Sequence, residues 1–186
     1  METKEKTIRK VYVFRGRILT VRNDDALMPN GDVRGREVVE HPGGVCVLPI
    51  QDDGSVLLVE QFRYPYMEDV LEAPAGKLEP GEDPFEAAKR ELREETGMVA
   101  TEWFDLGWDY PSPGYTNEII RLYAARGLSD VGQKLDDDEF LNVKKVSFTS
   151  ALEMIYDNDI RDSKTAMAVL KYKDLLNLGK LDGKKI

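Results

Sequence analysis

The chain is poor in the residues that several common kinds of site require. Cys46 is the only cysteine among 186 residues, so no disulfide can form within the chain, which is typical of a protein from a reducing compartment. His41 is the only histidine and precedes Pro42, which indicates a turn and excludes a zinc site built on several histidines. Basic residues are also in deficit, with 26 Lys and Arg against 35 Asp and Glu, for a net charge of −9. A general nucleic-acid-binding protein needs the opposite sign, so we expect no nucleic-acid partner.

Long apolar runs are missing as well. No stretch approaches the roughly 20 apolar residues that a membrane-spanning helix needs. The first residues, Met-Glu-Thr-Lys-Glu-Lys-Thr, are charged and show no apolar secretory segment behind them. We therefore expect a cytoplasmic protein with no membrane contact.

The N-terminal part of the chain reads as a small β lobe over residues 1–41. Residues 8–22 are rich in β-branched and aromatic residues around Gly16, which predicts two short strands, and residues 37–40 predict a third. The residues 23–35 between them contain Asn-Asp-Asp and Pro-Asn-Gly, which are typical of turns. A lobe of this size has little core of its own, so we expect it to pack against the main domain or a second subunit.

The remaining residues, 42–186, are predicted to form one catalytic domain. Strand-like and helix-like segments alternate irregularly along it, which favours an α/β fold with a mixed sheet and helices on both faces. The clearest helix begins at Asp83-Pro84, an N-cap followed by proline in the first turn, and ends at Gly97.

That helix carries an unusual cluster of acidic residues. Glu91, Glu94 and Glu95 are spaced i, i+3 and i+4, which places them on one face, and no lysine lies between them to balance the charge. Carboxylates without nearby histidine or cysteine are the ligands that a hard cation such as Mg²⁺ prefers. The alternative is a solvated acidic helix face.

The spacing around the cluster resembles the Nudix box. Gly76 is followed after five residues by Glu82, and after seven more by the run Arg90-Glu91-Leu92-Arg93-Glu94-Glu95-Thr96-Gly97-Met98. All nine specified positions of the box, over 23 residues, are filled. The resemblance implies the Nudix fold, an α/β/α sandwich with a mixed sheet, and a Mg²⁺-dependent pyrophosphohydrolase of nucleoside diphosphate derivatives, in which Mn²⁺ is a possible substitute.

Outside the box the chain resembles the ADP-ribose pyrophosphatase branch of that family. Pro113 lies 16 residues beyond Gly97, as in that branch, and residues 59–63 and 74–76 are also typical of it. The branch implies hydrolysis of ADP-ribose to AMP and ribose 5-phosphate. It also implies a homodimer formed through the N-terminal lobe.

The resemblance implies roles for individual residues of the box. Glu91, Glu95 and the carbonyl of Ala75 would be Mg²⁺ ligands, and Glu94 would bind or support the metal. Glu82 and Arg90 would orient the helix and its loop. A late acidic loop would supply the base, a role that we assign to Glu139, with Asp138, Asp137 and a merely solvated turn as the alternatives.

Three residues are candidates for binding the diphosphate and the nucleoside, and three more are candidates for stacking on the adenine. Arg63 could hold diphosphate oxygens in a bidentate fork, unless it forms a surface salt bridge. Glu118 could accept hydrogen bonds from the adenine or ribose, unless it is an exposed strand residue, and Gly114 lies beside it in the branch pattern. An aromatic or guanidinium face for the adenine could come from the lobe, through Tyr12, Phe14 or Arg15.

Two alternative functions stay open at this point. The substrate could be another nucleoside diphosphate derivative, such as a nucleotide sugar or a dinucleotide. The chain could also be a sensor that binds ADP-ribose without hydrolysing it, although the complete set of glutamates argues against that.

Overall fold

The computed structural model describes residues 2–135 and 140–186. Within that part of the chain, the backbone forms eleven strands, three α-helices and one 3-10 helix. These elements divide into two compact units, of which the first comprises residues 1–43 and 110–119 and the second comprises residues 44–109 and 120–186. None of the helices in the described residues is both long enough and apolar enough to cross a membrane.

The first unit is a four-stranded antiparallel sheet. Its strands are β1 (Lys6–Arg9), β2 (Tyr12–Arg15), β3 (Thr20–Leu27) and β4 (Val33–Glu40). β3 pairs with β1 and β2 along one edge and with β4 along the other. The antiparallel lobe is therefore confirmed, but it has four strands where the sequence predicted three.

The extra strand length falls in the segment that the sequence predicted to be a turn. β3 continues to Leu27 and β4 begins at Val33, which leaves only residues 28–32 for the turn, closed by the Met28 N–H to Asp32 carbonyl bond at 2.8 Å. Polar residues within β3 are tolerated because ion pairs neutralise them, as Asp24 accepts from Arg22 Nε at 2.8 Å. The sequence prediction treated the polar residues of β3 as turn formers because it did not identify the arginines that pair with them.

The first unit also contains residues 110–119, which lie within the predicted second domain, 42–186. This segment runs beside β4, where Val39 N–H donates to the Tyr115 carbonyl at 2.7 Å and Asn117 N–H donates to the Val39 carbonyl at 3.1 Å. The assignment of dimerisation and substrate contacts to residues 1–41, and of catalysis to residues 42–186, stays a prediction.

In its described residues, the second unit has two sheets, three α-helices and one 3-10 helix. Its elements are β5 (Gly44–Pro49), β6 (Ser55–Arg63), β7 (Glu68–Glu72), β8 (Ala75–Lys77), α1 (Pro84–Thr96), β9 (Met98–Asp109), β10 (Ile120–Asp130), β11 (Leu141–Ser147), α2 (Phe148–Tyr156) and α3 (Ser163–Asn177), followed by the 3-10 helix Asp182–Lys184. One sheet has the order β8-β5-β10-β9 and is mixed, since β5 and β10 are parallel. The other, β11-β6-β7, is antiparallel.

β5 shows how the helices cover both faces of the mixed sheet. Every residue of β5 is buried, as the continuous apolar run predicted. Val45 and Val47 pack with Ala88 and Leu92 of α1, whereas Cys46 and Leu48, on the other face, belong to the cluster that contains α2 and α3. The predicted α/β fold with a mixed sheet between layers of helices is therefore confirmed.

Candidate functional site

α1 positions the acidic cluster, and its ends are set by the residues that the sequence indicated. The Asp83 carboxylate accepts from the N–H groups of Phe85 at 2.9 Å and Glu86 at 3.2 Å, which satisfies donors of the first turn. Gly97 ends the helix at φ 72°, a left-handed conformation that favours glycine. Ala87, Ala88 and Leu92 are buried on the sheet.

Two of the three glutamates point from α1 into the protein, against β8. Glu91 and Glu95 are only 7% and 2% exposed. Glu95 Oε2 accepts from the Ala75 N–H at 2.9 Å, and the Glu91 carboxylate lies so close to Gly76 that a Cβ there would stand 1.9 Å from Oε1. We call these four residues, Ala75, Gly76, Glu91 and Glu95, the cradle. The helix face is therefore not a solvated one at these positions.

Arg90 joins the remaining acidic residues of the box to the cradle. Its Nε and Nη2 donate to the two oxygens of Glu82 at 2.8 and 3.0 Å, and its Nη1 donates to Glu91 at 2.7 Å and Glu94 at 2.9 Å. The hydrogen bond to Glu82 is the main cause that raises the pKa of Arg90, with the charge of Glu91 adding to it, and the same bond lowers the pKa of Glu82. Arg90 thus holds three carboxylates that would otherwise repel one another.

The donor set of the cradle fits a hard divalent cation. Buried carboxylate oxygens beside a glycine-lined backbone are ligands of the kind that Mg²⁺ and Mn²⁺ take. Among residues 2–135 and 140–186, no three acidic, histidine or cysteine side chains are already grouped as a metal site. Glu91 and Glu94 turn oxygens towards Arg90, and Glu95 turns one towards Ala75. The individual metal ligands stay predictions.

Arg63 lies in the same unit, at the end of β6. Its Nε and Nη2 donate to both oxygens of Glu72 at 2.5 and 2.7 Å, so it forms a salt bridge with a carboxylate that is almost fully buried. The hydrogen bond to Glu72 is the main cause that raises the pKa of Arg63, and the charge of Glu95 adds to it. Substrate binding by Arg63 stays a prediction.

Sequence reasoning missed the polar residues that lie behind this arginine. Glu72 also accepts from Lys164 Nζ, which in turn donates to Asp162 at 2.8 Å. The Thr165 hydroxyl accepts from the Ala73 N–H at 2.7 Å and donates to Asp162. A charged residue, Glu72, directly before the apolar run into the box was the one signal that could have indicated a buried partner.

The candidates in the first unit lie in the segment 110–119 and in β2. Glu118 Oε1 is 3.3 Å from His41 Nδ1, which also accepts from the Gly43 N–H at 3.1 Å. Gly114 lines a cleft of about 230 Å³ together with residues of β3 and β4. Arg15 stacks over the ring of Tyr12 at 4.1 Å, so those two candidate adenine contacts face each other.

Glu139, with its competitors Asp137 and Asp138, lies outside the described residues.

Comparison with known proteins agrees with this arrangement. The family described as NUDIX domain matches residues 40–167. An "ADP-ribose pyrophosphatase" of Bacillus subtilis (strain 168) is 41% identical over 180 residues, covering 95% of this chain and 97% of that protein. A "Methanol dehydrogenase activator" of Bacillus methanolicus is 44% identical, covering 89% of this chain and 90% of that protein.

A solved structure supports the same fold. The "Crystal structure of ADP compounds hydrolase" superimposes with a TM-score of 0.83 at 24% identity, covering 95% of this chain and 97% of that one. The family match spans more than half of the chain and includes the whole helix that carries the glutamates. The chain therefore belongs to the Nudix family.

Proposed function

We propose that this chain is a Mg²⁺-dependent pyrophosphohydrolase that cleaves ADP-ribose into AMP and ribose 5-phosphate. The observation that carries the proposal is the cradle, in which Glu91 and Glu95 are buried against Ala75 and Gly76, and Arg90 joins Glu91 to Glu82 and Glu94. The name of the Bacillus subtilis relative supports the choice of ADP-ribose.

Some residues of the box would bind the metal, and others would hold those ligands in position. Glu91, Glu95 and the Ala75 carbonyl would hold Mg²⁺ or Mn²⁺, and Glu94 would bind or support it. When bound, such ions offset the charge of the diphosphate, lower the pKa of a bound water and stabilise the leaving oxygen. Arg90 and Glu82 would act at a distance from the substrate, since their bidentate pair fixes the loop against the helix.

The reaction transfers a substituted phosphoryl group, which carries either the adenosine or the ribose, to water. The water oxygen forms a bond to one of the two phosphorus atoms, the bridging P–O bond breaks, and the bridging oxygen leaves on the other phosphate. The proton of the water passes to a carboxylate base. We assign that role to Glu139, with Asp138 and Asp137 as the alternatives.

Arg63, Glu118 and Gly114 would contact the substrate. Two of the guanidinium nitrogens of Arg63 are engaged by Glu72, which holds the plane of the side chain and leaves Nη1 to meet a diphosphate oxygen. Glu118, partly exposed, keeps carboxylate lone pairs for hydroxyl or amino donors of the nucleoside.

We further propose that the enzyme is a homodimer formed through the first unit. Apolar side chains are unusually exposed there, including Ile8 at 55%, Val13 at 61% and Phe14 at 55%. A cluster of exposed apolar side chains within one small sheet is typical of a protein interface.

A hydrolysis panel tests the proposed activity. Purified protein with Mg²⁺ would be assayed on ADP-ribose, ADP-glucose, GDP-mannose, NADH and diadenosine polyphosphates, with and without chelator, and AMP and sugar phosphate would be detected. We expect the highest kcat/KM for ADP-ribose and no turnover with chelator. A higher kcat/KM for a nucleotide sugar or dinucleotide would show that this compound, and not ADP-ribose, is the preferred substrate. Binding of ADP-ribose without any turnover would support the sensor instead.

A further inference from the structure

We propose that the first turn of α3 is a positioning clamp for the cradle, with Thr165 and Lys164 as its two positioning residues. We define the clamp as Asp162, Lys164 and Thr165. The inference deepens the proposed function, because it explains what holds the cradle and Arg63 in place.

The first arm of the clamp is the Thr165 hydroxyl, which joins α3 to the link between β7 and β8 that enters the box. Thr165 is completely buried, and its Oγ1 accepts from the Ala73 N–H at 2.7 Å while donating to Asp162. Asp162 is fixed in turn, since it is the N-cap of α3 and accepts from the Thr165 N–H at 3.0 Å. The hydroxyl therefore has a defined direction, with its proton towards Asp162 and a lone pair towards Ala73.

The segment that Thr165 holds is short and leads directly into the cradle. Ala73 N–H is bound by Thr165, the Pro74 carbonyl accepts from the Val47 N–H at 2.8 Å, and the Ala75 N–H donates to Glu95 at 2.9 Å. Three consecutive residues are thus fixed by three different elements. Because the ring of Pro74 fixes its φ angle, we expect a shift at Ala73 to move Ala75 as well.

The second arm of the clamp is Lys164, which acts on Arg63 through Glu72. The Lys164 ammonium donates to Glu72 and to Asp162, and its side chain is only 13% exposed. Glu72 is the residue that holds the guanidinium of Arg63 by a bidentate pair. Lys164 therefore fixes the carboxylate that sets the direction of Arg63, without itself being aimed at a substrate.

The first arm is tested by a pair of variants, of which one loses the hydroxyl and the other keeps it. Thr165→Val keeps the shape of the side chain and removes the acceptor for Ala73, whereas Thr165→Ser keeps the hydroxyl. Binding of Mn²⁺ would be measured by electron paramagnetic resonance, which does not depend on turnover. We expect Thr165→Val to weaken binding by about 10-fold, because a shift of Ala73 would move the proposed ligand Ala75, and Thr165→Ser to stay within about twofold of wild type.

Two results would overturn the role of Thr165. One is a folded Thr165→Val variant that binds Mn²⁺ as tightly as wild type. The other is equal weakening in both variants, because that would show that packing matters and the hydroxyl does not. Circular dichroism and thermal melts would establish that each variant is folded.

The second arm is tested independently by Lys164→Met, with Lys173→Met on the same helix as its control. We expect KM for ADP-ribose to rise about 10-fold with kcat within about twofold, because a displaced Arg63 loses binding that is shared by substrate and transition state. An unchanged KM, or an equal loss in Lys173→Met, would overturn this arm. If the wild type binds Mn²⁺ but hydrolyses no diphosphate, the proposed function fails, and the Mn²⁺ comparison of the Thr165 variants still decides the clamp.

Discussion

The carboxylate of Glu91 occupies the space into which a side chain at residue 76 would project. A Cβ on Gly76 would stand 1.9 Å from Oε1 of Glu91 and 2.1 Å from its Cδ. Gly76 lies in β8 without a left-handed backbone, so its role is to permit the close approach of the carboxylate and not to make a turn. The box therefore requires glycine at position 76 because any larger residue would collide with the carboxylate of Glu91, 15 residues later.

Gly76→Ala is therefore expected to remove activity while the fold persists. The added methyl group must displace the Glu91 carboxylate, so we expect kcat/KM to fall by about 100-fold and Mg²⁺ activation to require higher concentrations. Gly183→Ala is the control, since nothing lies within 4 Å of a Cβ there. Wild-type kinetics in Gly76→Ala would show that the position of Glu91 is irrelevant to the reaction.

Glu95→Gln is expected to stop turnover without unfolding the protein. The amide oxygen of glutamine can still accept from the Ala75 N–H, which preserves the contact, but the negative charge of the proposed metal ligand is lost. We expect kcat to fall by about 1,000-fold, or about 4 kcal/mol of transition-state stabilisation. Glu86→Gln, on the exposed face of the same helix, serves as the control. If Glu95→Gln kept the kcat of wild type, its assignment as a metal ligand would be wrong.

Glu72→Gln is expected to reduce stability in a pH-dependent way. Burial opposes ionisation of Glu72, but the hydrogen bond from Arg63 and the charge of Lys164 outweigh it, so its pKa lies below the ordinary 4.5. The ionised carboxylate therefore stabilises the fold above pH 4.5, and this contribution is lost as the pH falls through the lower pKa of the folded state.

Chemical denaturation at several pH values tests that expectation. At pH 7 the variant should be less stable by about 3 kcal/mol, because two cations lose a buried partner. The difference from wild type should shrink as the pH falls below 4.5. A difference that is constant from neutral to acid pH would show that the ionisation of Glu72 does not stabilise the fold.

The proposed dimer is expected to depend on the exposed apolar residues of the first unit. Light scattering after gel filtration should give twice the 21.1 kDa of one chain. Val13→Glu should shift the protein towards the monomer, since a charge in a buried apolar interface is costly. Val131→Glu, at a similarly exposed valine of the second unit, should leave the mass unchanged. A monomer in the wild-type sample at micromolar concentration would exclude the dimer.

Local signals explain why the central helix could be located from the sequence. Asp83, Pro84 and Gly97 each act within a few residues of themselves, by capping donors, starting the first turn and adopting a left-handed conformation. The same holds for the apolar run of β5, which is buried throughout. In contrast, residues 23–27 were predicted as turn because Asn and Asp are common in turns. These side chains fit a strand only when neighbouring or cross-strand residues neutralise them, and the local sequence does not show those partners.

By itself, then, the sequence determined the position of α1, the spacing of its glutamates and the family to which the chain belongs, because those depend on local geometry and on residue types at fixed intervals. Only the tertiary structure decided what each charged group meets. In the folded protein, Glu91 and Glu95 are buried against Ala75 and Gly76. Arg63 and Lys164 both bind Glu72, and Thr165 binds Ala73. Contacts that span 92 residues, such as that of Thr165 with Ala73, arise from packing of the whole domain, and no local pattern encodes them.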